Sequence, residues 1–336
     1  MIEDARFLRE GFVPHEVVHR DPEVEHLSGV LDPVTRGEPA ETALLTGPSG
    51  VGKTCIAKFT TDRLREERLD IETLYVNCWQ NYSAYRTLYR ILEGLGGNLD
   101  IHRQSTPRDE LIERLRNYTG EHCVLVLDEV DQLQGKRILY DLHEFSQFSM
   151  VLIANSENEL FADTDARLTS RLRGSERVHF DRYGLDALVA IMAQRVDKGL
   201  APDTIDPSFL ETIADEAAGD ARFALSILRS AAQAADRDGA DAITDERIMN
   251  AIPQAREAVR QKSLETLTPH QRAIYDIIEE AGTIEPPDLY DAYRDRVDDA
   301  KTDRTVRNYL SKMEQYNLID AEGTSRDRIY QLARAQ

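Results

Sequence analysis

The chain has 336 residues, 41% of them hydrophobic and 30% charged, and its 61 acidic residues against 41 basic ones leave a net charge of −20. That hydrophobic content supports two or three packed domains and excludes global disorder, and without a run of eighteen apolar residues a membrane-spanning helix is excluded too. Only seven of the basic residues are lysine. Such a composition looks adapted to high internal salt, where the Debye length falls to about 3 Å and a large net charge repels little; the alternative is an ordinary acidic protein.

The first residues, Met1-Ile2-Glu3-Asp4-Ala5-Arg6, are polar and acidic, so no secretory signal is expected. Cys55, Cys78 and Cys123 lack C-x-x-C spacing, which fits a reduced cytoplasm. The apolar run Ala43 to Thr46 predicts a buried strand. It leads into Gly47, Pro48, Ser49, Gly50, Val51, Gly52, Lys53 and Thr54, the pattern G-x-x-x-x-G-K-T. Thr54 to Leu64 then predicts an amphipathic helix. Strand, glycine loop and helix N-terminus together form a polyphosphate cradle: successive backbone N–H groups curl around the anion and the helix dipole adds positive potential. Lys53 is expected to reach the β- and γ-phosphates of ATP, and the Thr54 hydroxyl to hold Mg²⁺.

A second strand is expected at Glu72–Cys78, helices at Ser83–Gly94 and Pro107–Asn117, and further strands at Cys123–Leu127 and Met150–Asn155. Short apolar strands alternating with helices predict a parallel sheet with helices on both faces. From about Tyr183 the strands stop, and helices are expected at 185–198, 207–217, 221–235 and 245–258. The last seventy residues change character again. Thr268-Pro269-His270-Gln271 is a capping box, Gly282 ends that helix, 288–296 is a second, and Thr302 caps a third. A hairpin through Gly323-Thr324 follows, and three helices plus a hairpin make a winged helix. The expected domains are thus 1–182, a nucleotide-binding α/β core; 183–262, a helical lid; and 263–336, a winged helix.

Asp128-Glu129 closes a hydrophobic strand, placing both carboxylates at the sheet edge where ligands bind. Asp128 is expected to organise Mg²⁺ with Thr54, and Glu129 to orient and deprotonate the attacking water. Asn155, at the end of the next strand, can present its amide to the γ-phosphate or the water. Arg222 follows Gly219-Asp220 at the start of a lid helix, from which it can reach over phosphates and make lid closure nucleotide-dependent. Either Arg167 or Arg171 can serve as an arginine finger for a neighbouring subunit.

On the third C-terminal helix the apolar stripe of Val306, Tyr309, Leu310 and Met313 leaves Arg304, Arg307, Asn308, Ser311, Lys312 and Gln315 facing away. Between Lys301 and Gln315 four basic residues face two acidic ones, a positive relief in a negative chain. Such a face can donate to phosphates and base edges in a major groove, and Arg326 and Arg328 at the wing tip can touch a minor groove or the backbone. Winged helices also dock proteins.

Together these features resemble the archaeal origin-recognition and cell-division-cycle (Orc/Cdc) initiators of the AAA+ ATPases, over nearly the whole chain. Phe12 to Val24 looks like that family's box around the adenine, which implies nucleotide contacts from Val17, Val18 and Arg20. Asp128-Glu129 with Asp131 is similar to its Walker B, Asn155 to sensor 1, Gly219 to Arg222 to sensor 2, and Asp165 to Leu172 to its arginine-finger box. The insertion near Trp79–Gly97 falls where these initiators carry a helix that approaches DNA, making Arg86 and Arg90 candidate backbone contacts. The resemblance implies an ATP/ADP-switched, slowly hydrolysing initiator. It would bind duplex origin DNA, associate with itself there, and help load the replicative helicase in the cytoplasm. The alternative is a diverged paralogue that acts as a transcriptional regulator or protein-docking switch away from origins.

Overall fold

A computed structural model of the chain describes residues 1–97, 101, 106–161, 164–323 and 328–333. These fall into two units, Gly11–Arg182 and Met1–Glu10 with Tyr183–Gln336.

In the first unit the elements run α1 (Asp21–Thr35), β1 (Ala43–Thr46), α2 (Lys53–Glu67), β2 (Ile71–Asn77), α3 (Ala84–Gly94), α4 (Arg108–Arg116) and β3 (His122–Asp128). After a 3₁₀ turn at Val130–Gln132 come α5 (Arg137–His143), β4 (Phe148–Ala154), α6 (Glu157–Phe161), α7 (Ala166–Arg173) and β5 (Glu176–His179). The five strands form one parallel sheet in the order β2-β3-β4-β1-β5. Its central strands are buried on both faces, so their apolar runs serve two cores at once. Leu44, Leu125, Leu127 and Leu152 point to a core that includes Leu88 and Ile91 of α3, Leu111 of α4, Leu139 of α5 and Leu168 of α7. The alternate residues Ala43, Leu45, Val124, Val126, Val151 and Ile153 meet Leu27 and Leu31 of α1 and Ile56 and Ala57 of α2.

Strand β5 was not expected from the sequence. It is an edge strand in which only Val178 is buried, so Glu-Arg-Val-His carries no apolar run to reveal it.

The second unit begins with the lid helices α8 (Leu185–Gly199), α9 (Pro207–Ala217), α10 (Ala221–Arg237) and α11 (Asp245–Glu265). Asp206 and Asp220 cap α9 and α10 by accepting from the backbone N–H groups of Ser208 and Phe223. Their apolar stripes close on a core that includes Leu188, Met192, Leu210, Ile213, Leu225, Leu228 and Ile248. Residues 1–10, assigned to the nucleotide-binding core on sequence grounds, pack here instead. The backbone N–H groups of Glu3 and Asp4 donate to the Gly199 carbonyl at 2.9 and 3.2 Å, and Leu8 is buried among the lid residues. Helix α11 runs unbroken through the expected boundary at 262.

The remaining elements are α12 (Pro269–Ala281), β6 (Thr283–Ile284), α13 (Pro286–Arg296), α14 (Asp303–Gln315), β7 (Ile319–Glu322) and β8 (Ile329–Leu332). Thr268 and Gln271 form the expected capping box of α12, and Gly282 closes that helix at φ 71°. The Thr302 hydroxyl caps α14. The hairpin strands pair in an antiparallel sheet ordered β6-β8-β7, so the wing has a third strand that two residues of sequence did not betray. No helix among the described residues is long and apolar enough to cross a membrane.

Candidate functional site

The loop between β1 and α2 is shaped by three glycines at positive φ: Gly47 (147°), Gly50 (78°) and Gly52 (94°). A β-carbon on Gly47 would lie 2.2 Å from the carbonyl oxygen of Phe180, so only glycine fits there. Pro48, Ser49 and Gly50 are partly exposed at the crest, while Val51 is buried and anchors the loop in the core beside Ile56. Helix α2 opens at Lys53 with no acidic residue in its first turn, leaving its positive end available to an anion.

Lys53 is buried. Its Nζ donates to the carbonyls of Gly47 and Pro48, both at 2.6 Å, and to Oδ1 of Asn155 at 3.3 Å. The Asn155 carbonyl in turn accepts from the Gly47 N–H at 3.3 Å. Asn155, directly after β4, therefore touches the loop through both backbone and side chain.

Asp128 ends β3 and is buried. Its Oδ2 accepts from the Thr54 hydroxyl at 2.7 Å and from the Tyr75 hydroxyl at 2.8 Å, and its Oδ1 from the Glu129 backbone N–H at 2.9 Å. Burial, joined by the neighbouring Glu129 charge, pushes the Asp128 carboxyl above the usual carboxylate range, while the two hydroxyls and Lys53 oppose that rise. Thr54 and Asp128 make an all-oxygen donor pair, which suits a hard divalent cation such as Mg²⁺. Glu129, half-buried, sits at φ 58° in the left-handed region. That conformation costs a non-glycine residue about 1–2 kcal/mol, and such strain gathers at working sites.

Of the residues implied for the adenine box, Val17 packs against the core on the α1–α2 side and Val18 is half-buried. Arg20 is buried, ion-paired with Glu23, and donates to the Asp181 carbonyl at 2.6 Å with its guanidinium 5.2 Å from the Phe180 ring centroid. It ties α1 to the segment that crowds Gly47.

The two finger candidates are both exposed on α7 but differ in surroundings. Arg171 pairs with Glu144 at 3.2 Å and lies 5.9 Å from the Tyr140 ring centroid. Arg167 makes no ion pair among the described residues. Arg86 and Arg90 are exposed one turn apart on α3, in a groove with Tyr85, Tyr89 and Asn81. In the second unit Arg222 lies in the first turn of α10, 3.9 Å from Asp220.

Helix α14 exposes Arg304, Arg307, Asn308, Ser311 and Gln315, as the helical pattern predicts. Lys312 is a correction. It is 1% exposed, with Nζ 4.9 Å from the Tyr316 ring centroid. It sits on the flank of the apolar stripe beside Tyr309, and Tyr316 one turn later extends the buried surface over its stem. Arg328 is exposed, 3.8 Å from Glu314. Arg326 lies outside the described residues.

These features coincide with known families. Residues 36–160 match the model of an AAA domain, and residues 189–253 that of a Cdc6 AAA+ ATPase-type lid domain. The ORC1-type DNA replication protein 9 of Halobacterium salinarum is 57% identical over 332 residues, covering 99% of this chain and 94% of that protein. The chain belongs to the ORC1-type DNA replication proteins. A second Halobacterium salinarum member, ORC1-type DNA replication protein 1, is 51% identical over 92% of this chain and 100% of its own length. The Aeropyrum pernix ORC1 protein, solved in complex with DNA, superposes with a TM-score of 0.75 at 26% identity, covering 99% of this chain and 94% of that one. Cdc6p from Pyrobaculum aerophilum shares the fold, with a TM-score of 0.68 at 19% identity over 99% and 94% of the two chains. Halobacterium relatives agree with the acid-rich, lysine-poor composition of this ORC1-type protein.

Tyr75 of this ORC1-type chain is a site residue that sequence reasoning missed. The sequence marks it only as one residue of the second strand. Its place two residues before Asn77, which pairs in register with Asp128, is the signal that puts it on the carboxylate's face. Lys58, one turn beyond Thr54, sets its ammonium 3.8 Å from the Tyr75 ring centroid.

Proposed function

We propose that this ORC1-type protein is an ATP-switched replication initiator that binds duplex origin DNA and helps recruit the replicative helicase. The observation that carries the nucleotide half is the Thr54–Asp128 hydrogen bond of 2.7 Å at the head of α2, beside buried Lys53. Residues Gly47 to Thr54 cradle the phosphates of ATP or ADP with backbone N–H groups, and Lys53 exchanges its loop carbonyls for phosphate oxygens. Thr54 and Asp128 would hold Mg²⁺, which would supply neutralisation of the charge that develops on the phosphate oxygens. Glu129 orients water and takes its proton, Asn155 links that water to the loop, and Val17, Val18 and Arg20 shape the adenine side. Hydrolysis of this kind is slow and resets a switch.

The DNA half is supported by the exposed, net-positive face of α14 in a chain of opposite sign, and by the DNA complex of the Aeropyrum pernix relative. Arg304, Arg307, Asn308 and Ser311 read the major groove, Arg326 and Arg328 follow the backbone at the wing, and Arg86 and Arg90 add phosphate contacts. Arg167, which makes no ion pair among the described residues, serves as finger to a neighbouring copy on DNA, while Arg171 faces Glu144 of its own unit at 3.2 Å. The setting is the cytoplasm, at the nucleoid. Footprinting the full chain in molar KCl on DNA flanking its own gene tests this reading. Protection of a discrete duplex site in ATP supports it, and no protection in ATP or ADP rejects it.

A further inference from the structure

Arg222 and Tyr316 connect the lid to the DNA reader. The Arg222 guanidinium carbon lies 5.7 Å from the centroid of the Tyr316 ring, within cation–π range, and Lys312 Nζ lies 4.9 Å from the same centroid. Tyr316 is buried and is the C-cap of α14, where its N–H donates to the Lys312 carbonyl. The next residue, Asn317, turns left-handed at φ 51°, and Leu318 leads directly into β7. The ring thus stands at the corner where the reader helix becomes the wing. Arg222 itself occupies the first turn of α10, a position where the helix dipole disfavours a cation. Helix stability does not account for an arginine there.

We propose that Tyr316 is a positioning residue: its ring holds the lid arginine Arg222, so that phosphate and the reader compete for one guanidinium. The inference rests on the reading of Arg222 as the phosphate-sensing arginine. A phosphate oxygen offers that guanidinium charge-assisted hydrogen bonds, which are stronger than a ring face can provide. When Arg222 turns to phosphate, the C-terminal corner of α14 loses its lid contact and the reader is released. When it returns to Tyr316, reader and lid are held together.

Competition has a signature that ordinary structural damage does not produce: removing the ring tightens nucleotide binding. The test uses the full chain in molar KCl with a fluorescent ATP analogue, comparing wild type, Tyr316→Phe, Tyr316→Leu and Arg222→Ala. Tyr316→Leu is expected to bind the analogue roughly three- to fivefold more tightly, the scale of one part-buried cation–π contact. Tyr316→Phe, which keeps the ring, is expected to match wild type, and Arg222→Ala to bind more weakly than any of them. Tyr316→Leu is also expected to bring the ratio of DNA affinities in ATP and ADP to within twofold of one. Wild-type or weaker analogue binding by Tyr316→Leu overturns the proposal, as does a tightening shared by Tyr316→Phe. Absence of analogue binding by wild type sinks the functional reading itself, and this proposal with it.

Discussion

The hydroxyl of Tyr75 and the carboxylate of Asp128 meet at 2.8 Å, on the same Oδ2 that accepts from Thr54 at 2.7 Å. One buried oxygen is therefore held by two hydroxyls from different elements, β2 and α2, which aims the carboxylate at the threonine that would share its metal. Replacing Tyr75 by phenylalanine keeps the ring and its contact with Lys58 but removes one hydrogen bond to a charged acceptor, worth about 1.5 kcal/mol or roughly tenfold. The expected result is a Mg²⁺-dependent gain in nucleotide affinity reduced about tenfold, with affinity in EDTA unchanged. Titrating a fluorescent nucleotide with and without Mg²⁺ decides it, and an equal loss in both conditions contradicts the role.

Glu129 is held in a left-handed conformation immediately after that carboxylate. Glu129→Gln keeps size and hydrogen bonding but cannot accept a proton, so ATP hydrolysis should fall by about 10²-fold or more while ATP binding persists. Single-turnover hydrolysis set beside equilibrium binding separates the two. Undiminished turnover would move the base elsewhere.

Arg167 and Arg171 are separated by their partners. An exposed pair such as Arg171–Glu144 contributes about 0–1 kcal/mol to stability, so Arg171→Ala should shift melting slightly and leave hydrolysis nearly intact. Arg167→Ala should depress hydrolysis on DNA by about 10³-fold if it completes a neighbour's site. Mixing Arg167→Ala with Lys53→Ala subunits should restore part of the activity, because each supplies what the other lacks. No recovery on mixing counts against a finger acting between subunits.

Arg304 and Arg307 face solvent on α14, whereas Lys312 is buried against Tyr316. Arg304→Ala or Arg307→Ala should weaken DNA binding by about 1–3 kcal/mol where a base is read bidentately. Lys312→Ala should instead lower the melting temperature and leave the salt dependence of DNA binding alone. A shallower salt slope in Lys312→Ala would return that lysine to the DNA face.

Two histidines of the nucleotide-binding unit report on pH. Burial holds the imidazoles of His122 and His143 below their ordinary value of 6.5, with the Arg171 charge adding to the effect at His143. The folded state binds their protons less readily than the unfolded chain. Their stabilisation is therefore complete above 6.5 and is lost as pH falls through the lower folded values. Unfolding free energy in molar KCl should decline from pH 7 to 5, and the double variant His122→Gln, His143→Gln should show a flatter decline. An identical slope in the variant rules these residues out as its source.

Much of this architecture was legible because its causes are local. The phosphate loop declares itself through glycines at φ values that other residues rarely adopt, and the capping box at Thr268 and Gln271 is four consecutive residues. The nucleotide-binding sheet could be read because its central strands are buried on both faces and so run apolar. Features set by distant contacts were hidden. Residues 1–10 belong with the lid through hydrogen bonds to Gly199, a pairing that no window of sequence contains. Strand β5 has only Val178 inward, Tyr75 reads as one more strand residue, and a helical wheel of α14 stops before the Tyr316 ring that buries Lys312.

The proposed switch requires that phosphate at residues 47–54 be felt by the reader on α14. The most direct measurement is the DNA affinity of wild type and Lys53→Ala, each titrated in molar KCl with ATP, with ADP and without nucleotide. The expectation is a wild-type affinity that changes severalfold between nucleotides and a Lys53→Ala affinity that does not respond to either. A wild-type protein that binds ATP yet holds DNA equally in all three conditions would contradict it.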